Sequence, residues 1–166
     1  GANNDVGLDE VYKAYASVAK ARNTSPALQS ANRYFLNESS SNGAHPKIHA
    51  VAKWDLKGSS PANSDVVLAF VNLDRDNARS GTFDLSPEGK QDFLGIGEER
   101  IYNVTNLAAF SELQRDKFLW TEARTGKDLP EHGIFVNLNP VPNTEESLGT
   151  APLDAQLLKL PDLPSP

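Results

Sequence analysis

The sequence predicts a mainly β fold: an antiparallel Greek-key sandwich, preceded by one α-helix and followed by a Pro-rich tail. Three observations point there. Strand-like apolar runs recur with turn residues between them. No helix-length segment separates successive runs, as parallel strands would require. The last 27 residues hold six of the 11 prolines, too many for a regular element.

The helix comes first. In "LDEVYKAYASVAKAR", residues 8–22, apolar groups at Leu8, Val11, Tyr12, Tyr15 and Val18 or Ala19 recur at intervals of three and four, one helical stripe. Asp5 or Asp9 can cap its start. "NTSP" stops it, because Pro26 disfavours the α conformation at Ser25 and has no amide hydrogen. A single amphipathic helix is marginal alone and must pack on something.

Seven strands follow by pattern: Leu28–Leu36, Ile48–Asp55, Asp65–Asp74, Arg79–Leu85, Arg100–Leu107, Phe118–Ala123 and Ile134–Leu138. "NESSSNG", "KGSSPANS" and "DRDNARSG" are loops by composition, and "LAAFSEL", residues 107–113, is a short helical turn. The most apolar strand, "DVVLAFVNLD", is greasy on both parities. Val66, Leu68 and Phe70 point one way; Val67, Ala69, Val71 and Leu73 point the other. A strand covered on one side only should alternate apolar with polar. Something must therefore cover its second face: the helix, another sheet edge or a neighbouring domain. In the tail, Leu153–Leu160, "LDAQLLKL", is the one apolar part and a segment that can dock on the sheet.

Composition narrows the function. With 166 residues, 39% hydrophobic and 23% charged, the chain has the makings of a globular domain with a real core. A net charge of −6 without clustered Lys and Arg speaks against nucleic acid as a partner. No apolar run approaches the roughly 18 residues of a membrane span. The lack of cysteine removes disulfides, thiolate metal sites and a cysteine nucleophile. The lack of methionine suggests an excised piece of a larger protein, with residues 1–7 a disordered cloning scar.

The order of motifs then carries a resemblance. "ARNTSPALQSANRYFL" (Ala21–Leu36) is followed by "IHAVAKW" (Ile48–Trp54), "DVVLAFVNLD", "GTFDL" (Gly81–Leu85), "YNVTNLAA" (Tyr102–Ala109), "FLW" (Phe118–Trp120) and "HGIFVNL" (His132–Leu138). Over residues 8–139 this order resembles the C-terminal end of α-amylase superfamily enzymes, glycoside hydrolase family 13, in the manner of the maltosyltransferase and trehalose-synthase types. The stretch "TEARTGKDLPEHG" lacks the aromatics such a relative would carry after Trp120, and the tail after Pro140 has no counterpart. The resemblance implies that residues 8–26 are the last helix of a catalytic β/α barrel. It implies that residues 27–139 are the C-terminal β-sandwich domain and that residues 140–166 form a flexible tail. The catalytic barrel is the implied partner and an α-glucan the implied ligand.

It also implies that this chain is not itself catalytic. Retaining cleavage of glucosidic bonds needs two carboxyl groups about 5 Å apart. In this family those groups sit on barrel strands upstream, and none of their motifs occurs here. No catalytic, cofactor or metal residue is therefore assigned. Asp74, Asp76, Glu98, Glu99 and Glu122 read as solvated loop charges. Asp74, Asp76 and Asn77 hint at a calcium loop but lack the sixth-position Gly and terminal Glu. His45 and His49 have the i, i+4 spacing of helical metal ligands, spoiled by Pro46 and a strand context; His132 stands alone. Ser59, Ser60 and Ser86 lack a nucleophile elbow. Asn23, Asn37 and Asn103 each begin a glycosylation sequon of short, chance-prone type.

Sugar contact is the remaining chemistry. Pyranose faces stack on exposed aromatics, and Trp54, Trp120, Tyr34, Tyr102 and Phe118 are available. Trp54 shares parity with Ala50, Ala52 and Leu56 and reads as core. Phe118 and Trp120 lie two residues apart on one strand face, where they form either a sugar platform or part of the core. They are the candidate carbohydrate contacts. A stand-alone carbohydrate-binding module would need them exposed. A sandwich interaction domain without sugar chemistry would need neither.

Overall fold

The most apolar strand of the sequence sits at the centre of the largest sheet. The computed structural model describes residues 19–39, 47–56, 64–74, 76–86, 93–109, 113, 116–138, 155–160 and 162–163. Its strands are β1 (Arg33–Phe35), β2 (Ile48–Leu56), β3 (Ser64–Asn72), β4 (Arg79–Phe83), β5 (Ile101–Tyr102), β6 (Thr105–Asn106), β7 (Arg124–Thr125), β8 (Ile134–Leu138), β9 (Ala155–Lys159) and β10 (Asp162–Leu163). Two short helices, α1 (Pro26–Gln29) and α2 (Asp128–His132), complete the named elements. Every pairing among the described strands is antiparallel. The fold is mainly β, as the spacing of apolar runs predicts.

Among the described residues three sheets form: β1-β2-β3-β9-β6, β10-β5-β7 and β4-β8. The register of β2 on β3 runs the full length of both, from Ile48 opposite Asn72 to Leu56 opposite Ser64. Directly opposed residues share a face. One face of the large sheet therefore carries Ala50, Ala52, Val66, Leu68 and Phe70, all buried. The β4–β8 ribbon packs across it through Phe83, Ile134, Val136 and Leu138; the Phe70 and Phe83 rings meet at 5.2 Å. Residues 37–39 leave β1 and pair with β4: Ser39 donates to the Thr82 carbonyl at 2.8 Å and Asp84 to that of Asn37 at 3.0 Å. The chain thus turns the corner from the large sheet to the ribbon. Among the described residues the ladders do not spell a Greek key, because the returning strand β9 lies beside β3 and not beside β1.

Several expected boundaries move, each for a local reason. The helix of residues 19–24 stops where "NTSP" predicts, but Pro26 then opens α1 instead of a strand. Ser25, with extended backbone, caps it by accepting from Leu28 N, and Pro26 sits in its first turn. The expected strand Leu28–Leu36 shrinks to β1. The expected strand Arg100–Leu107 splits into β5 and β6 because Asn103 Oδ1 accepts from its neighbour Val104 N at 2.8 Å and from Trp120 N at 3.1 Å. That clamps the Trp120 segment against the break. Phe118 makes a single bridge to Thr105, and regular pairing resumes only at β7. Within the expected helical turn of residues 107–113, Ala109 N closes a turn on Asn106 O at 3.1 Å and Leu113 is helical; residues 110–112 lie outside the described set, as do residues 1–18.

The apolar segment of the tail docks on the sheet, as its sequence allows. Residues 155–159 form β9, with Leu158 opposite Leu68 and Ala155 opposite Val71. Leu158 and Leu160 are buried in the core. The six prolines that make the rest of the tail read as unstructured all fall outside β9. The edge of β3 offered unmade backbone hydrogen bonds along an apolar strand, and a run with buried leucines satisfies them.

Candidate docking site

The second face of β3 is apolar at Val67, Ala69 and Val71 and only partly covered. It carries Asp65, Val67, Ala69 and Val71, opposite Asp55, Lys53, Val51 and His49 of β2. Arg33 and Phe35 of β1 extend the rows of Lys53 and Val51. One end of this face is sealed. Asp65 Oδ2 accepts from Ser25 Oγ at 2.6 Å and from Ala27 N at 2.9 Å. Lys53 Nζ donates to the Leu28 carbonyl at 3.0 Å, and Ala27 and Val67 are fully buried. The other end is open. Val51, Ala69 and Val71 are half-buried, and Phe35 is 57% exposed, its ring 5.5 Å from that of His49.

The two candidate carbohydrate residues part company. Phe118 is 46% exposed, as is Leu119 beside it. Trp120 is half-buried against the core, and the Arg124 guanidinium lies 5.1 Å from its ring centroid. Arg124 is itself fixed: it pairs with Asp128 and donates to the Gly133 carbonyl at 2.9 Å. That pairing, with His132 Nδ1 2.9 Å from Asp128, holds the Asp128 carboxyl below its ordinary range, Arg124 being the larger cause. Trp54 sits at the core margin, its ring edge-on to Phe93 at 5.2 Å.

The acidic loop is structural. Asp76, Glu98, Glu99 and Glu122 are exposed, as read from sequence, but Asp74 is buried. Its carboxylate accepts from Asp76 N at 3.0 Å and Asn77 N at 3.2 Å and pairs with Arg79. The Asp76 amide first, then Arg79, drive its pKa down to about 2. With Oδ1 holding the two amide hydrogens and Oδ2 the guanidinium, the carboxylate has little left for calcium. Among the described residues no cluster of three His, Asp or Glu is placed to hold a metal.

The other singled-out residues scatter. His49 lies on the outer face of β2 and His132 at the end of α2; His45, Ser59 and Ser60 lie outside the described residues. Ser86 N bonds Asp84 Oδ1 at 2.8 Å in a turn. Of the sequon asparagines, Asn23 and Asn37 are exposed, while Asn103 is 5% exposed and bonded to Trp120 through both its amide atoms.

One feature escaped the sequence. A half-open cleft of about 600 Å³ has an apolar floor of Leu85, Leu94 and Ile96, with Glu98, Lys127 and Glu131 at its rim. It joins segments some thirty residues apart, so no local pattern could announce it. Its walls approach so closely that Gly126 has no room for a side chain: a Cβ there would lie 1.8 Å from the Gly97 carbonyl oxygen.

Among the described residues no helix is long and apolar enough to cross a membrane. No known family model matches the chain, and no curated protein matches it.

Proposed function

We propose that the protein is a non-catalytic β-sandwich domain from the C-terminal end of an α-glucan-active enzyme of the α-amylase type, glycosidase or glycosyltransferase, and that it braces the enzyme's catalytic barrel. The observation that carries this reading is the outer face of β2 and β3. It is apolar at Val51, Val67, Ala69 and Val71, sealed at one end by the segment arriving from the N-terminal side, and half-buried over Val51, Ala69 and Val71. A strand pair with a complete core on one side gains nothing from apolar residues on the other unless that side also meets something. The motif order from Ala21 to Leu138 supplies the enzyme class.

The upstream coding sequence tests this directly. A β/α barrel carrying the carboxylate pair is expected within the preceding several hundred residues. Its absence overturns the reading in favour of an interaction domain without sugar chemistry. Release of sugar from starch or maltooligosaccharide by the purified 166-residue chain overturns the non-catalytic part.

A second reading, an independent carbohydrate-binding module, draws on the exposure of Phe118. Trp120 has less to offer, since Arg124 lies over its ring and the core is close by. Titration with a maltooligosaccharide while following Trp fluorescence decides it. No change up to millimolar sugar removes it.

A further inference from the structure

We propose that the outer face of β2 and β3 receives an acidic amphipathic helix of a partner domain, laid across the strands with its apolar stripe on Val51, Ala69 and Val71 and carboxylates along both flanks. The inference rests on the reading of this face as a docking surface and adds the chemistry of what docks.

The face is banded. Directly opposed residues share a face, so the pairing of β1, β2 and β3 lays Arg33, Lys53 and Val67 in one row and Phe35, Val51 and Ala69 in the next. His49 and Val71 form a third row. Lys47 and Leu73 form a fourth, joined by a 2.7 Å bond from the Leu73 amide to the Lys47 carbonyl. Apolar side chains thus occupy the middle, and cations stand at both margins.

The charge on this face is of one sign. Arg33 and Lys47 are exposed, and neither has an ion-pair partner among the described residues. Lys53 donates to a neutral acceptor, the Leu28 carbonyl. The carboxylates of the face, Asp55 and Asp65, lie beyond Lys53 at the sealed end, and Asp65 is engaged with Ser25 and Ala27. No acid stands between the row of Lys53 and that of Lys47. In a chain of net charge −6 this is a local reversal of sign, and it selects a partner of the opposite sign. A second copy of the chain would bring the same cations against one another.

The partner's backbone is constrained too. A sheet face, unlike a sheet edge, offers no backbone donors or acceptors. Whatever lies on it must satisfy its own, which a helix does. Its width also fits. The six residues from Lys53 to Lys47 span about 20 Å at ~3.3 Å each, and a helix with its side chains is about 10–12 Å across. Room remains on either flank for a carboxylate to meet Arg33 and Lys53 on one side and Lys47 on the other. Crossing β1, β2, β3 and β9 covers three spacings of ~4.8 Å, about 14 Å, which takes about ten helical residues. The exposed rings and branches of Phe35 (57%) and Leu73 (59%) stand at opposite corners of the band, where such a helix covers both.

The test uses the 166-residue chain and two synthetic helical peptides of about 18 residues with the same leucine stripe, one flanked by Glu and one by Lys. Binding is followed by amide shifts and by fluorescence of a label on the peptide. The Glu peptide is expected to bind at least tenfold more tightly than the Lys peptide at low salt, with shifts confined to residues 33–35, 47–53 and 67–73. Half-molar salt is expected to remove most of that preference. Arg33→Glu together with Lys47→Glu, both at exposed positions, is expected to reverse it, with near-UV circular dichroism confirming an intact fold. Equal binding of the two peptides at this face overturns the acidic partner and leaves the docking reading standing. Binding of neither peptide overturns the proposal, and an upstream β/α barrel still decides the docking reading separately. Co-sedimentation with phosphatidylglycerol vesicles without preference for the Glu peptide assigns the face to an anionic membrane surface and overturns the proposal as well.

Discussion

Ser25 Oγ donates a 2.6 Å hydrogen bond to Asp65 Oδ2 across 40 residues of chain. Asp65 also takes the Ala27 amide, so one carboxylate at the start of β3 caps the α1 turn and fixes it to the central strand. Replacing Ser25 with Ala removes a helix cap, at a cost of about 1 kcal/mol. Asp65→Ala removes both bonds and leaves a buried hydroxyl and amide to find new partners, costing about 2–3 kcal/mol. Urea denaturation monitored by far-UV circular dichroism is expected to rank the two in that order. Equal midpoints for Asp65→Ala and the parent chain would show the link to be energetically idle.

Asp74 gives the protein an acid dependence with a defined window. Its folded pKa is lowered to about 2, against an unfolded value of about 3.9. The carboxylate therefore contributes fully above about pH 4, and its contribution is lost as pH falls from there towards 2. The Asp74→Asn variant should be less stable than the parent at pH 7, with the gap narrowing across that interval. Thermal melts at half-unit steps from pH 7 to 2 measure it; a constant gap across the series contradicts the assignment.

Gly126 marks a contact of backbone on backbone. Its amide donates to the Arg100 carbonyl at 2.8 Å, and an added Cβ would meet the Gly97 oxygen. Gly126→Ala should cost about 1–3 kcal/mol through displacement of the two segments and perturb the cleft between them. Gly133 is constrained differently, by a φ of 69°, which an L side chain rarely adopts. Chemical denaturation of Gly126→Ala is the check, and an unshifted midpoint refutes the close approach.

Phe70 and Phe118 should respond oppositely to truncation. Phe70 is fully buried against Phe83, so Phe70→Ala should cost about 3–5 kcal/mol. Phe118 is nearly half exposed, so Phe118→Ala should cost about 1 kcal/mol or less. Comparable losses at the two sites would mean that Phe118 is also packed.

Much of the fold was legible because burial imposes period two on strands. Ile134–Leu138 alternates buried and exposed along its whole length, and it was read with both ends in place. The double greasiness of "DVVLAFVNLD" announced a central strand, whose second face proves to be buried at Val67 and half-buried at Ala69 and Val71. The splitting of Arg100–Leu107 was not legible, because its cause is Asn103 reaching a segment 17 residues away. Of the candidate site, exposure at Phe118 was open to a sequence reader, but the placement of Trp120 beneath Arg124 was not. The two are only four residues apart, yet Arg124 is aimed by Asp128 and the Gly133 carbonyl.

The sequence by itself determined the class of the fold, the identity of its central strand and the position of the first helix's stop. These follow from side-chain periodicity and from what proline does to its own neighbourhood. Only the tertiary structure decided where β9 goes, that Asp74 is a buried hub rather than a solvated charge, and which end of the outer face stays open. Each of those depends on which distant backbone and side-chain groups happen to meet. An exposed hydrogen-bonding edge or a buried carboxylate selects its partner in space, and local pattern carries no record of that choice.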